Sequence, residues 1–290
     1  MPLRPLDHLV MPVTDIATAR ARLTALGFTV AADARHPFGT ENACVFFSDG
    51  AYLEPLGIAS EPECRQTAAA GNQFTARNNA FRLRNGPEGL SAIVLGSTDA
   101  VADDAAFRAK GISGGDILEF SRVMKLPDGT EITPTFRLAF AADPASPDFH
   151  GITCQRINVP AVDRSALERH PNSVTGIRTV ILAAPDPAGS EAFLSALVGG
   201  QASVAEGRGL TLATANSQID VVDAEGTRDF PLLEFDDAPG LRGRMILFSV
   251  VDLTVTETHL AAHGIAFSKH NQTLFVPHQQ GQGVPFAFSE

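Results

Sequence analysis

Four stretches of the chain repeat one short pattern, and that repetition constrains the fold more than any single motif. They are "DIATARARLTALG" from Asp15 to Gly27, "DAVADDAAFRAKG" from Asp99 to Gly111, the looser "DPAGSEAFLSALVGG" from Asp186 to Gly200, and "DLTVTETHLAAHG" from Asp252 to Gly264. In each, an Asp stands where an N-cap acceptor satisfies the first free backbone N–H groups of a helix. A Gly stands where the chain must turn left-handed to leave it. Apolar residues recur between them at helical spacing, as Ala19, Leu23 and Leu26 do in the first copy, so each copy predicts a short helix with one stripe to lay on a sheet.

Strand-like runs precede the four helices: "LDHLVMPV", "LSAIVLGS", "IRTVILAA" and "RMILFSVV". After the first helix come "FTVAADAR", "ACVFFSD" and "AYLEPLGI", separated by turn residues, which makes the unit strand, helix, three strands. The second unit repeats this with a longer hairpin, "LPDGTE" forming a turn between "ILEFSRVMK" and "ITPTFRLAF". The third offers "LTLATA" and "QIDVVDA", and the fourth "TLFVPH" and "VPFAFSE". The largest insertion, "SEPECRQTAAAGNQFTARNNAFRLRNGPEG", is polar with partly helical propensity, and "VPAVDRSALERHPNSV" divides the chain. The expected organisation is a first pair of units over residues 1–158, a connector over 159–174 and a smaller second pair over 175–290.

A chain of 290 residues with 44% hydrophobic and 19% charged residues has the balance of a folded soluble protein. Its net charge of -11, with 22 basic against 33 acidic residues, argues against a phosphate-backbone surface, so small molecules are the expected partners rather than nucleic acid. No apolar run reaches the roughly 20 residues of a membrane span, and "MPLRPLDHLV" lacks a signal-peptide core, which predicts a cytoplasmic protein without a membrane partner. Cys44, Cys64 and Cys154 show no paired spacing and are expected to be buried free thiols.

The repeat, with "LDHLVMPVTD", "HPFGTEN" and "AYLEPLG", resembles the vicinal oxygen chelate superfamily of glyoxalases, extradiol dioxygenases and bleomycin-resistance proteins, and within it the glyoxalase-like domain proteins. The resemblance is densest over residues 5 to 58 and extends to about 185 through "KLPDGTE", "ITCQR" and "RHPN"; beyond that it rests on the repeat alone. It implies an α+β fold of four βαβββ modules paired into two open eight-stranded barrels, each with a cleft that can hold a divalent metal (Zn, Fe, Mn, Ni or Co). It also implies barrels completed by pairing between chains, as in a homodimer.

If first and last strands of a unit are neighbours, His8 and Glu54 point into one cleft, and both match ligand positions of the superfamily. Aligning the Asp caps sets Ala92 opposite His8 in the second unit, with Gln155 as a neutral oxygen donor near the position of Glu54 and Arg156 beside it. His8 as a hydrogen-bonded cleft residue, and Glu54 paired with Arg156 or Arg137, stand against the metal reading. Position 8 maps to Thr179 and Met245 in the second half, which is therefore expected to lack a metal, with His259, His263, His270 and His278 on a solvated surface. At the mouth of the cleft "HPFGTEN" either offers His36, Thr40 and Asn42 to a polar substrate, as the resemblance implies, or is simply a hairpin connection, while Arg122, Arg137 and Arg156 converge to receive a carboxylate, enolate or phosphate unless strand alternation turns one or two of them outward.

Two functions follow. One is a lyase, isomerase or dioxygenase acting through a metal on His8, Glu54 and Gln155, with Glu54 or His36 moving protons. The other is a metal-free ligand-binding protein of the bleomycin-resistance type. No phosphate loop or nucleophile elbow is present, and "GISGGD" belongs to a helix exit.

Overall fold

The computed structural model describes residues 3–125, 130–159, 162–205 and 209–290. In chain order the first half carries β1 (Leu6–Pro12), α1 (Ile16–Ala25), β2 (Ala34–Arg35), β3 (Thr40–Asn42), β4 (Val45–Phe46), β5 (Tyr52–Ile58), α2 (Glu61–Ala69) and α3 (Gln73–Asn85). It continues with β6 (Ala92–Ser97), α4 (Ala100–Ala109), β7 (Leu118–Ser121), β8 (Met124–Lys125), β9 (Glu131–Ile132), β10 (Thr135–Ala141) and β11 (His150–Ile157). The second half carries β12 (Val174–Ala183), α5 (Glu191–Val198), β13 (Ser203–Ala205), β14 (Gly209–Ala213), β15 (Gln218–Val222) and β16 (Arg242–Val250). It closes with α6 (Leu253–Ala262), β17 (Ser268–His270), β18 (Thr273–Val276) and β19 (Phe286–Ser289). The turn expected at "LPDGTE" falls largely on 126–129, outside the described residues.

The repeated helices form for the reasons their sequences carry. Asp15 accepts from the Thr18 N–H at 2.7 Å, Asp99 from Val101 and Ala102 at 3.1 and 3.0 Å, and Asp252 from Thr254 at 2.8 Å. Gly27, Gly111, Gly199 and Gly264 leave the helices at positive φ. The third copy is the exception. Pro187 and Gly189 favour a tight 3₁₀ turn at Ala188–Ser190, so Asp186 caps that turn through the Gly189 N–H at 3.2 Å and the α-helix begins later.

Each half is built on one curled sheet, the first carrying in addition the short β8–β9 ladder. The first has nine strands, ordered β2-β3-β5-β1-β6-β11-β10-β7 with β4 on β5, and the second has eight, ordered β13-β14-β15-β12-β16-β19-β18-β17. The first strands of paired units meet antiparallel at the centre, β1 with β6 and β12 with β16, and each unit's last strand runs parallel beside its first. This is the α+β fold of four βαβββ modules in two open barrels. "FTVAADAR" contributes only the two residues of β2, while β13 and β17 are strands the sequence pattern did not mark.

One buried cluster spans both halves, from Leu23, Leu26 and Phe28 to Phe248, Phe286 and Phe288. The Phe28 ring lies 5.3 Å from that of Phe248. At the junction His170 is satisfied on both nitrogens, by the Thr29 N–H and the Phe46 carbonyl, each at 3.0 Å, which gives it a structural role. The insertion forms α2 and α3, anchored where Arg82 donates to the carbonyls of Val13 and Leu56 at 3.1 and 2.6 Å. Among the described residues no helix is long and apolar enough to cross a membrane. All three cysteines are free and buried.

Candidate functional site

Strand register brings His8 and Glu54 together. On the parallel pair β1–β5, His8 lies opposite Tyr52 and Val10 opposite Glu54, so His8 and Glu54 sit on the same pleated face and point into the concave side of the first sheet. His8 Nε2 stands 3.4 Å from Glu54 Oε2. From the other side, on the turn between β2 and β3, His36 Nε2 stands 3.6 Å from Glu54 Oε1. The three groups are 6%, 4% and 6% exposed for His8, Glu54 and His36, so this is a buried cluster that needs internal partners.

Those partners are specific. Asn42 Nδ2 donates to Glu54 Oε1 at 2.6 Å and lies 3.4 Å from His36 Nε2, while His36 Nδ1 pairs with Thr40 Oγ1 at 2.9 Å. His8 Nδ1 donates to Asp7 Oδ1 at 2.6 Å, and the same oxygen accepts from Arg156 at 2.7 Å. Asp7 reaches the His8 ring, although alternation should send neighbours to opposite faces, because the β1–β6 register shifts between Leu6 and His8. No feature of the alternating sequence signals that bulge, so sequence reasoning missed Asp7. Tyr52 stacks on His8 with ring centroids 4.4 Å apart.

The electrostatics follow from burial and these contacts. Burial raises the Glu54 carboxyl, but His8, His36 and Asn42 outweigh it and hold it at about 2. Burial lowers the His36 imidazole to about 4, with Glu54 pulling weakly the other way. Burial also lowers His8, yet Asp7 and Glu54 together overcome it and its pKa lies above the ordinary value. Two imidazoles flanking one carboxylate are thus driven in opposite directions.

The cluster opens onto a small chamber of about 30 Å³, lined by His8, His36 and Glu54 on one side and by Phe74, Phe120, Phe136 and Arg122 on the other. Phe74 comes from the insertion and Phe120 and Phe136 from the β7–β10 hairpin of the second unit, so an element outside the basic module and the partner unit together close the cleft. Cys154 lines both this chamber and an open pocket of about 610 Å³ that Asp7 and Arg156 also line.

Other residues expected here stand elsewhere. Gln155 faces away from the chamber, accepting from the Ala100 N–H at 3.2 Å and donating to the Thr98 carbonyl at 2.8 Å; it fixes the start of α4. Register gives the reason. Glu54 lies two residues beyond the strand partner of His8, and the residue two beyond His150, the partner of Ala92, is Ile152. Arg137 shares the parity of Gln155 and pairs with Glu119 at 2.6 Å away from the chamber. Thr40 and Asn42 are buried behind the lining as supports of His36 and Glu54 rather than at the mouth of the cleft. Arg156 is held by Asp7, and of the three arginines only Arg122 lines the chamber.

The donor set does not fit a resident metal. Among the described residues lining the chamber, His8 and Glu54 alone are poised to share a cation, because the Asn42 amide already serves both His36 Nε2 and Glu54 Oε1. Where the second unit should complete the set it has Ala92 and Ile152, and a guanidinium lines the same chamber. Among the described residues no group of three or more His, Cys, Asp and Glu side chains is arranged to hold a metal ion. In the second half, register puts Thr179 at the position of His8 and Asp220 at that of Glu54. Asp220 accepts from Thr211 and Gln218 at 2.9 and 2.8 Å and lines a separate cavity of about 340 Å³. His263, His270 and His278 are exposed and His259 is half-buried.

The paired βαβββ modules and the His8–Glu54 cleft define a vicinal oxygen chelate protein. Residues 6–198 match the family model described as a glyoxalase-like domain, and the chain belongs to that family. Its fold is shared by a hypothetical protein from Staphylococcus aureus, at a TM-score of 0.65 and 10% identity, covering 98% of each chain. A mutant of 4-hydroxymandelate synthase from Streptomyces coelicolor aligns at a TM-score of 0.61 and 12% identity over 99% of this chain and 92% of that one. The Mn(II)-bound glyoxalase from Novosphingobium aromaticivorans aligns at 0.52 and 12% identity over 99% and 82%. No curated protein matches the chain in sequence.

Proposed function

We propose that the first half is the working site of a glyoxalase-like enzyme that moves a proton on a small oxygenated metabolite using its own side chains. The observation that carries this reading is one buried carboxylate, Glu54, between two imidazoles whose pKa values are pushed apart. Such divergence assigns acid and base. His36, neutral, is the proton acceptor through Nε2 once the substrate displaces its 3.4 Å contact with Asn42; His8, protonated between Asp7 and Glu54, is the donor. Glu54 keeps His8 charged and orients both, and Arg122 faces the oxygen on which negative charge develops.

The chamber has room for about two water molecules, so a larger substrate enters by displacing the aromatic wall. Phe120 lies on β7, the edge strand of the sheet, which can move without breaking an inner ladder.

A second reading, ligand sequestration without chemistry, is favoured by Ala92 and Ile152 standing where further metal ligands would be. Solvent deuterium exchange into the methyl group of pyruvate, with the metal content of the same protein, separates the readings. Exchange that persists after chelation and disappears in His36→Ala supports the proton-transfer enzyme. Binding without exchange supports sequestration. Stoichiometric metal lost in His8→Ala and Glu54→Ala overturns both in favour of a metal enzyme.

A further inference from the structure

Among the described residues, two of the three guanidinium nitrogens of Arg122 are left without a partner. Its Nε and Nη1 are buried with no hydrogen-bond partner, and the side chain lines the chamber opposite His8, His36 and Glu54. It is held over the Phe136 ring, its central carbon 5.6 Å from the ring centroid. The neighbouring acids are taken: Glu54 Oε1 by Asn42 at 2.6 Å, and Asp7 Oδ1 by both His8 and Arg156 at 2.6 and 2.7 Å. The other two arginines of the region each hold a carboxylate, Arg137 that of Glu119 and Arg156 that of Asp7. Buried guanidinium N–H groups left unmet are costly, and a protein that could pair this one as it pairs its neighbours does not do so.

We infer that Arg122 is the anion-recognition residue of the site and that the ligand is a small monocarboxylate with a compact apolar body. The inference rests on the chamber being the working site. A carboxylate head supplies acceptors for the unmet N–H groups, and guanidinium binds such a head in preference to a neutral amide. The ligand is a monoanion because Glu54 lines the same chamber and Asp7 lies behind His8, so a dianionic phosphate would meet carboxylate repulsion. The walls set the remainder: Phe38, Phe74, Phe120 and Phe136 offer ring faces and no further donors to a polar tail. A chamber of about 30 Å³ takes the head and the first carbon with little change.

The test uses NMR titration of the full chain with acetate and propionate, with acetamide as the neutral counterpart and inorganic phosphate as the competing anion. Acetate and propionate are expected to shift the His36 and Phe120 resonances and to bind at least tenfold more tightly than acetamide or phosphate. Arg122→Gln should weaken acetate at least tenfold and Arg122→Lys less, with no loss of melting temperature, since neither Nε nor Nη1 gives up a bond. Acetate binding unchanged in Arg122→Gln, equal affinity for acetate and acetamide, or tighter binding of phosphate overturns the assignment. The proton-transfer reading fails separately: acetate bound through Arg122 with no exchange into pyruvate leaves this inference standing and removes that one.

Discussion

Asp7 and His8 are consecutive on one strand, yet their side chains meet, with His8 Nδ1 donating to Asp7 Oδ1 at 2.6 Å. The register shift between Leu6 and His8 makes this geometry possible, and it fixes which imidazole nitrogen faces Glu54. The consequences run through the site, because the same Asp7 oxygen also holds Arg156.

Asp7→Asn removes the acceptor of two cationic groups. We expect the His8 imidazole to titrate at a lower pH than in the parent, and the fold to lose about 2 kcal/mol, Arg156 keeping part of its hydration. Imidazole NMR and urea denaturation measure the two effects.

Gln155 is a supporting residue for α4. Gln155→Ala should cost about 1 kcal/mol of stability through the Ala100 and Thr98 contacts while leaving acetate affinity at its parental value. A tenfold loss of affinity in a folded variant would return Gln155 to the site.

The pH dependence of stability has opposite contributions. His36 has a folded pKa of about 4, below the roughly 6.5 of an unfolded histidine, so its contribution is present above pH 6.5 and is lost as pH falls toward 4. Glu54, at about 2 against roughly 4.3 unfolded, loses its contribution lower still, between about 4 and 2. His8 is raised, so its contribution is complete below the unfolded value and is lost as pH rises through the folded one. Denaturation midpoints from pH 7 to 4 should therefore fall less steeply in a folded His36→Gln variant than in the parent.

Gly27 leaves α1 at φ +90, and a Cβ there would lie 2.7 Å from Asn172 Cβ and 2.8 Å from His259 of the second half. Gly27→Ala should cost about 2 kcal/mol or more through backbone strain, with the clash at the junction added. Calorimetric melting of the variant checks the value.

Phe74 belongs to the insertion and closes the chamber over His36, their ring centroids 5.7 Å apart. Phe74→Ala should cost about 3 kcal/mol and, in a folded protein, improve butyrate binding relative to acetate. An unchanged ratio would mean that this wall does not set ligand size.

The repeat was legible because each copy states its helix twice, in an Asp cap and a Gly exit, and because the strand before it is a continuous apolar run. That was enough to pair His8 with Glu54, since a parallel first and last strand put them on one face. The partner unit was harder to read, because counting from helix caps carries no strand register; Gln155 and Arg137 fall on the other face through parity, and Ile152 takes the place assigned to Gln155. Asp7 depended on a bulge, and Phe74 on how an insertion folds back. Neither leaves a periodic trace. Asp220 was overlooked because the second half was judged by its histidine position alone, although its register matches that of Glu54.

The most direct test of the central claim is the separate titration of the two imidazoles by NMR in chelator-treated protein, assigned with His8→Gln and His36→Gln variants. The account predicts a His8 midpoint above 6.5 and a His36 midpoint near 4, both moving to lower pH when Glu54 is replaced by Gln, because its carboxylate favours the charged form of each ring. Two midpoints together near 6.5, unmoved by that replacement, would contradict it.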